Sequence, residues 1–402
     1  MDRIQTLLEQ PRTLPCGAIL KNRLAKSAMS DSLGNGEANP TQAQIRLYQR
    51  WAQGGIGLSI IGEVQVDPRY PEKPGNLSLT KYSDKEALRQ LTQRASITGA
   101  HIWPQLGHAG ALSHAPISQA KGPSTLDVGT LHCEGMTIEE IENLPASYAK
   151  AASIAKEVGF TGVQIHAGHG FLLSQFLSPL FNLRDDKYGG SIENRCRIIL
   201  AIIDAVRLAI GPHFPIGIKI NASDLLEGGL TEDDALAHIR LLDKTSVDLI
   251  EISAGTYFPG AKSSSDNLSK GVYYKSFAKR AKNLTSIPLM VTGGVKSLSD
   301  ACSLLQDKSA DLVGLARAMV LNPDLANDWF AGTNQTLSFP RFDSPPAEGI
   351  TAWYTMRINA IALDEEKDFS PTLTLALKQY LERDELKSIK WRTFFINPIK
   401  SN

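Results

Sequence analysis

The chain has 402 residues, and 42 Lys and Arg residues balance 42 Asp and Glu residues, so its formal net charge is zero. This balance, without a basic block, argues against nucleic acid or an anionic membrane surface as a partner. No stretch reaches the ~20 apolar residues of a membrane-spanning helix, and the N-terminus lacks the apolar core of a secretory signal. The four cysteines are widely spaced. These features favour a cytoplasmic enzyme without a disulfide framework.

Short apolar runs alternate with helical patterns along most of the chain. Strands, each typical of a sheet buried on both faces, are predicted at 24–30, 57–66, 101–106, 162–165, 215–220, 248–252, 288–291 and 311–315. Helices are predicted at 42–51, 84–97, 137–158, 192–209, 232–242, 272–282 and 297–305, with an eighth beginning near Pro323. Eight strand–helix units predict an α/β fold, a (β/α)8 TIM barrel, with functional residues at the C-terminal strand ends.

The last part of the chain departs from this alternation. Pro340, Pro345 and Pro346 predict a linker, and two helical stretches follow at about 347–363 and 371–387. We therefore predict a barrel over residues 1–335 and a C-terminal helical extension over residues 336–402. The extension is expected to pack on the barrel or on a partner subunit, and a homodimer is left open.

The stretch 162–195 connects the fourth predicted strand to its helix. The strand ends in two histidines three residues apart, His166 and His169, and Ser191 marks the N-cap of the following helix. The connection is far longer than the usual two to six or so residues, which favours a functional role. Charged residues near its end are more simply interpreted as loop-anchoring ion pairs: Asp185, Asp186 and Arg195.

Two glycine-containing turns follow the seventh and eighth strands. Gly293 and Gly294 end one strand, and Ala316 and Arg317 follow the other. Barrels often bind a phosphate here, with backbone amides and a helix N-terminus as donors, and an arginine adds a bidentate contact. Glycines that only form turns are the simpler alternative, but two turns with an arginine favour a phosphate site.

The other strand ends carry a mixed set of donors. Lys219 supplies a cation, Gln105 both a donor and an acceptor, and His166 and His169 can donate to one oxygen. This set suits a flat, electron-accepting phosphate ester. Ordinary hydrogen-bonded imidazoles and a partly solvated lysine are the alternatives. Zinc is disfavoured because no carboxylate or cysteine flanks the histidine pair in the sequence.

With these motifs, residues 10–335 resemble the old yellow enzyme family of FMN-dependent ene-reductases. The most specific motif is 176–195, FLSPLFNLRDDKYGGSIENR. The other matching motifs are NRLAKSAMS at 22–30, QLGHAG at 105–110, GVQIHAGHG at 162–170 and GIKINASD at 217–224.

The resemblance implies that FMN lies across the barrel mouth. Its binding residues are then Ala28, Met29, Ser30, Glu63 (mainly through its backbone), Gln105, Lys219, Gly293, Gly294, Ala316 and Arg317. His166 and His169 match the pair that holds the substrate carbonyl oxygen. NADH or NADPH is expected to reduce the flavin and leave before an α,β-unsaturated carbonyl substrate enters, which gives ping-pong kinetics.

Three positions depart from the family pattern. Phe171 stands where the family usually has the tyrosine that protonates the α-carbon. Tyr257 or water then supplies the proton, or the reduction of simple enones is slow. Ser30 replaces a common threonine or cysteine beside the flavin, and Ala111 replaces an arginine of the neighbouring loop.

Three other functions are consistent with parts of this pattern. A flavin reductase acting on nitro compounds, quinones or amines would not need the tyrosine. A metal-dependent hydrolase would use the same barrel with a bound metal. A non-catalytic barrel would bind flavin or a partner without oxidising NAD(P)H. Fold alone does not separate these alternatives, whereas the donor set favours the reductase.

Overall fold

The computed structural model describes residues 5–129, 131–258, 261, 271–333 and 337–397. Eight short strands, numbered in chain order, form its centre. They are β1 (Leu24–Lys26), β2 (Leu58–Gln65), β3 (His101–Gly107), β4 (Val163–Ala167), β5 (Ile216–Asn221), β6 (Leu249–Ser253), β7 (Leu289–Thr292) and β8 (Leu312–Leu315).

Every neighbouring pair of these strands is parallel, and β1 pairs with both β2 and β8, so the sheet closes into a barrel. Apart from His101, all residues of the eight strands are buried. Parallel strands covered on both faces are expected to be apolar throughout, which is why the short runs are recognisable in the sequence. The predicted (β/α)8 barrel is confirmed.

Helices follow the strands around the outside. The barrel helices are Gln42–Gln53, Lys85–Ala95, Ile138–Glu157, Ile192–Ile210, Glu232–Leu242, Lys275–Lys282, Leu298–Gln306, Arg317–Leu321 and Leu325–Phe330. Arg317–Leu321 was not predicted; the other helices match the predicted bounds within a few residues, and the predicted caps form at Thr137, Ser191 and Thr231. Within the described residues, no helix is long and apolar enough to cross a membrane.

The lower end of the barrel is closed by apolar packing. A hairpin of Arg12–Thr13 and Ile19–Leu20 lies below the strands, and Leu20 packs with Trp103 in the barrel interior. A Cβ atom on Gly162 would lie 2.4 Å from the indole of Trp103, and one on Gly217 would lie 3.0 Å from it. These two glycines therefore leave the space that the indole fills, as close packing requires.

Two connections that the sequence predicts as loops contain four elements that were not predicted. The connection after β3 contains three short strands, Lys121–Gly122, Leu126–Val128 and Leu131–Gly135. The connection after β4 contains the helix Leu172–Leu177. The strands are too short to show an alternating pattern, and all six helix residues are buried, so none of these four elements has an amphipathic signature.

The C-terminal residues form the helices Gly349–Ala362 and Leu373–Trp391, which contact each other. The first also contacts the barrel helix Gln42–Gln53. From the second, the Trp391 indole donates to the carbonyl oxygen of Pro68 at 3.0 Å, in the loop after β2. The extension thus contacts the barrel of its own chain near the strand ends; its division into a separate domain stays a prediction.

Candidate active site

The two histidines lie side by side at the end of β4. The distance from His166 Nε2 to His169 Nδ1 is 3.2 Å. His169 has a left-handed backbone with φ of 59°, and its N–H donates to Asn221 Oδ1 at 3.0 Å. A non-glycine residue rarely adopts this conformation without support from its surroundings. Asn221, at the end of β5, therefore helps to hold the second imidazole in place.

His166 has a carboxylate neighbour. Its Nδ1 lies 2.8 Å from Glu63 Oε1, and the two side chains are 1% and 8% exposed. The two atoms lie within ion-pair distance but do not form a hydrogen bond. From the sequence, Glu63 is expected to contribute mainly through its backbone, and no carboxylate flanks the histidines. The fold brings this carboxylate to His166 from β2.

His169 contacts a hydroxyl and keeps part of its surface open to the cleft. Its Nε2 lies 2.9 Å from Ser253 Oγ at the end of β6. Loss of solvent around the ring, the positive charge of Lys219 and the neighbouring His166 hold the pKa of His169 well below its ordinary value. His169 is therefore a neutral imidazole at neutral pH.

Two aromatic rings border the histidines. The Phe171 ring centroid lies 5.1 Å from that of His166 and 5.8 Å from that of Tyr257. Phe171 is 4% exposed, whereas Tyr257 is 65% exposed. Tyr257, one of the two predicted substitutes for the family's tyrosine, thus lies beside the histidine pair with its side chain largely accessible.

Below the histidines lies a buried polar network. Lys219 Nζ is 3.1 Å from Glu251 Oε1, and both side chains are at most 3% exposed. Gln105 donates to Gln164 Oε1 at 2.6 Å, and Gln164 donates to Glu251 Oε2 at 2.7 Å. The hydroxyl of Thr292 donates to Glu251 Oε1 at 2.7 Å. The interpretation of Lys219 as a partly solvated lysine is wrong, because the barrel encloses it.

Glu251 keeps its charge despite being enclosed. Burial by itself raises the pKa of Glu251, but the Lys219 charge and the hydrogen bonds from Gln164 and Thr292 outweigh it and lower the pKa below its ordinary value. Strand register explains the pairing, because Lys219 lies opposite both His166 of β4 and Glu251 of β6. A fixed ion pair therefore lies next to the predicted catalytic histidines.

The segment after β1 changes from buried to half-buried at Ala28, Met29 and Ser30. A Cβ atom on Gly62 would lie 2.9 Å from Ala28 Cβ and 3.2 Å from Gln105 Oε1. The predicted residues of β1, β2 and β3 are thus neighbours, and the absent side chain at position 62 allows them to approach.

Ser30 has a partner that the sequence did not reveal. Its hydroxyl donates to Glu72 Oε2 at 2.9 Å. Asn76 Nδ2 lies 3.3 Å from the same carboxylate oxygen. Loss of solvent raises the pKa of Glu72 to about 7. The loop after β2 therefore adds a carboxyl group to the barrel mouth.

The predicted phosphate turns lie at the ends of β7 and β8. Gly293 and Gly294 have φ of 122° and 79°, a backbone that side chains rarely adopt. A Cβ atom on Gly294 would lie 2.4 Å from the carbonyl oxygen of Gly271. Ala316 precedes the helix that Arg317 begins, and the Arg317 guanidinium lies 5.5 Å from the ring centroid of Tyr354. The C-terminal extension thus contacts the predicted phosphate arginine.

This donor set fits FMN. The two glycines expose backbone at a turn, and Arg317 supplies a cation for a phosphate. Lys219 is a fixed positive charge and Gln105 an amide, groups that match the polar edge of a flavin ring. Gly62 clears space beside Ala28 and Gln105. Among the described residues, no cluster of three His, Cys, Asp or Glu side chains is arranged to hold a metal ion.

The model of the NADH:flavin oxidoreductase / NADH oxidase family matches residues 11–334. The chain belongs to this family, which confirms the resemblance to old yellow enzymes, FMN as the cofactor and NADH or NADPH as the reductant. It is 31% identical over 398 residues to the NADH-dependent flavin oxidoreductase iliE of Hypocrea jecorina, an alignment that covers 89% of this chain and 97% of the relative.

Other relatives are longer. The NADH-dependent flavin oxidoreductase iliE of a Neonectria species is 33% identical over 352 residues, which cover 78% of this chain but 46% of the relative. The chain therefore spans about half the length of some curated relatives. The solved old yellow enzyme homologue from Zymomonas mobilis superposes with a TM-score of 0.71 at 21% identity, over 82% of this chain and 94% of that one, a likeness that concerns the fold.

Several polar residues of the site were not predicted from the sequence: Glu63 as a side-chain partner, Glu72, Gln164, Ser253 as a histidine partner, and Glu251. Gln164 and Glu251 had a detectable signal, because each is a polar residue inside an otherwise apolar strand. Glu63 has the same signal, since it lies inside the buried strand β2, whereas Glu72 lies in a loop and has none.

Proposed function

We propose that this chain is an NAD(P)H-dependent FMN oxidoreductase that reduces the activated C=C bond of α,β-unsaturated carbonyl compounds by a ping-pong mechanism. The observation that carries the proposal is the pair His166 and His169, 3.2 Å apart and next to the buried Lys219–Glu251 ion pair. Two imidazoles so close can both direct N–H groups at one oxygen, as an oxyanion-stabilising site does. The predicted cytoplasmic location stays a prediction.

Each group has a separate task. FMN, when bound, supplies reversible hydride transfer. Gly293, Gly294 and Arg317 would hold its phosphate, and Gln105 and Lys219 its polar ring edge. The Lys219 charge favours negative charge near it, and Glu251 keeps the lysine in place. The histidines would bind the carbonyl oxygen and withdraw electron density from the β-carbon. Ala28, Met29 and Ser30 would border the ring.

The same cleft would take both substrates in turn. The nicotinamide would occupy the space beside the histidines, leave, and be replaced by the enone. Phe171 and the exposed ring of Tyr257 form the apolar wall of this space. A small electrophilic alkene is therefore the proposed substrate class.

The test is an anaerobic titration of the purified holoenzyme followed through the visible flavin absorption. NADPH should bleach the band, and 2-cyclohexenone should restore it. Bleaching without recovery on enone addition would contradict the enone as substrate and leave a flavin reductase with another acceptor. A protein that retains flavin but is not bleached by NADPH or NADH would contradict the oxidoreductase as a whole.

Phe171 favours one second candidate function. A phenyl ring cannot give a proton, and nitro compounds, quinones or amines do not need one from this position. Under this alternative, recovery of the flavin band by a nitro compound or a quinone should be much faster than recovery by 2-cyclohexenone. Similar or slower recovery would argue against it.

A further inference from the structure

Glu63 presents a buried carboxylate to one of the two histidines. The carboxylate comes from β2, while His166 comes from β4. Between them, β3 ends at Gly107, where a Cβ atom would lie 2.5 Å from Glu63 Oε2. The ends of three strands thus enclose the Glu63 carboxylate, and a side chain at position 107 would clash with it.

The contact is specific to one histidine. Glu63 Oε1 lies 2.8 Å from His166 Nδ1. In the part of the chain that the structure describes, His169 has no carboxylate within ion-pair distance; its neighbours are His166, Ser253 and the positive charge of Lys219. The two imidazoles of the pair therefore differ in charge environment, and His166 is the one that has a counter-ion.

The contacts continue as a chain. From Glu63 it passes to His166, then over 3.2 Å to His169 Nδ1, and over 2.9 Å from His169 Nε2 to Ser253 Oγ. Before a substrate binds, a His166 that carries two protons can donate its Nε2–H to His169 Nδ1, and His169 can donate its Nε2–H to Ser253 Oγ. The extra positive charge then lies next to Glu63.

We propose that Glu63 is the counter-ion of a protonated His166, and that His166 gives its Nε2 proton to the carbonyl oxygen of the enone. The inference rests on the proposed enone reduction. As the β-carbon accepts hydride, the C=C electron pair moves to the bond between the α-carbon and the carbonyl carbon. The carbonyl π pair then forms a bond to the proton as the Nε2–H bond breaks. The two electrons come originally from NAD(P)H.

The product of this step is an enol, and His166 is left neutral until water returns a proton. The enol becomes the ketone in solvent, where a proton adds to the α-carbon from either face. The reaction can then proceed without a donor at the α-carbon, although a tyrosine would add a second acid, so a buried phenyl ring at Phe171 is compatible with it. Glu63 is a positioning residue in this scheme, and His166 is the catalytic acid.

The first experiment measures binding to the oxidised holoenzyme at slightly acidic pH. The probe is p-nitrophenol, whose own absorption reports the phenolate form, and the neutral comparison ligand is p-nitroanisole. Glu63→Gln should weaken phenolate binding about tenfold or more, because a buried charge loses its partner, and should leave p-nitroanisole binding unchanged. Glu63→Asp should recover part of the loss.

A double-variant cycle shows whether Glu63 acts through the histidine. In a His166→Asn background, Glu63→Gln should change phenolate binding by less than about twofold. Fully additive losses, or an equal loss for both ligands, would overturn the counter-ion role and identify Glu63 as a structural residue only. Retained flavin absorption confirms that each variant is folded.

The second experiment reads the product. Reduction of 2-methyl-2-cyclohexenone by the unaltered enzyme should give a product that is nearly racemic at the α-carbon. The Phe171→Tyr variant should favour one enantiomer, and its rate of enone reduction should fall less when Glu63→Gln is added. A single enantiomer from the unaltered enzyme would overturn proton transfer to oxygen while leaving the proposed function standing. If no enone is reduced but phenolate binding still requires Glu63, the proposed function and the proton transfer both fail, and only the counter-ion role stands.

Discussion

The lower and middle layers of the barrel interior are built from the same strands but have opposite chemistry. In the lower layer, Trp103, Leu249 and Met290 pack with the hairpin below. Two residues further along the same strands are Gln105, Glu251 and Thr292, which belong to the buried polar network. Because side chains two residues apart on a strand point the same way, each strand contributes to both layers.

The difference shows what each layer has to do. The lower layer stabilises the barrel by excluding water and filling space. Its packing therefore depends both on the Trp103 indole and on the glycines that leave room for it. The middle layer has to hold charge where a cofactor and substrate will meet. It does so with an ion pair whose carboxylate also accepts hydrogen bonds from Gln164 and Thr292. A third step along β4, β5 and β6 reaches His166, Asn221 and Ser253, where the catalytic chemistry is proposed.

The largest expected effect is the loss of the middle-layer ion pair. Lys219→Met leaves Glu251 buried without its cation, which should lower the free energy of unfolding by ~3–5 kcal/mol. Urea unfolding of the flavin-free protein measures this. The double variant Lys219→Met, Glu251→Gln should recover much of the loss. An equal or larger loss in the double variant would show that the lysine contributes by packing and not by charge.

The lower layer should tolerate even one added methyl group poorly. Gly162→Ala places a Cβ atom where the Trp103 indole lies, 2.4 Å from its nearest atom, so the indole must move. We expect a loss of ~1–3 kcal/mol in the free energy of unfolding, measured by the same urea titration. The loss should shrink in a Trp103→Phe background; an unchanged loss would place its cause in the backbone.

A change at the rim should affect rate and not stability. Phe171→Tyr adds a hydroxyl beside His166 and should raise the rate of flavin reoxidation by an enone about tenfold, since a positioned acid contributes at least that much. The rate of flavin reduction by NADPH should stay the same, which makes it the internal control. Stopped-flow absorption separates the two half-reactions. No gain with the enone would show that protonation is not slowed by the absence of the tyrosine.

A second buried lysine, Lys26, lies outside the polar network and differs from Lys219 in having no ion-pair partner among the described residues. Lys26 is fully buried, its Nζ lies 4.3 Å from the Trp51 ring centroid, and its hydrogen bond goes to the carbonyl oxygen of Ile60. Burial, with the positive charge of Lys219, lowers the pKa of Lys26 to about 7, although Asp31 and Glu251 oppose this. Lys26 is thus only partly charged near neutral pH.

The pH dependence follows from that lowered pKa. Above pH 7 the unfolded chain binds more protons at this lysine than the folded one, so its contribution makes stability rise with pH and fall as the pH drops towards 7. Between pH 7 and pH 8, the difference in unfolding free energy between the unaltered protein and Lys26→Met should change by ~1 kcal/mol. Lys244→Met, on an exposed side chain, should show no such change.

The sequence by itself determined the barrel and most of its mouth. Uninterrupted apolar runs alternating with capped helices specify eight parallel strands, because buried strands and amphipathic helices have different periods. The positions of Gln105, His166, Lys219 and Gly293 at strand ends follow directly from that count. The motif at 176–195 indicated the family, and the family implied FMN as the cofactor and NAD(P)H as the reductant.

Only the tertiary structure decided which polar groups meet. Lys219 and Glu251 are 32 residues apart and Glu63 and His166 are 103 apart, so their pairing depends on strand register and barrel closure, which no local pattern encodes. Burial is also a collective property: the lysine at the end of β5 is enclosed because its neighbours surround it. The carboxylate beside His166 is therefore visible only once β2, β3 and β4 lie side by side.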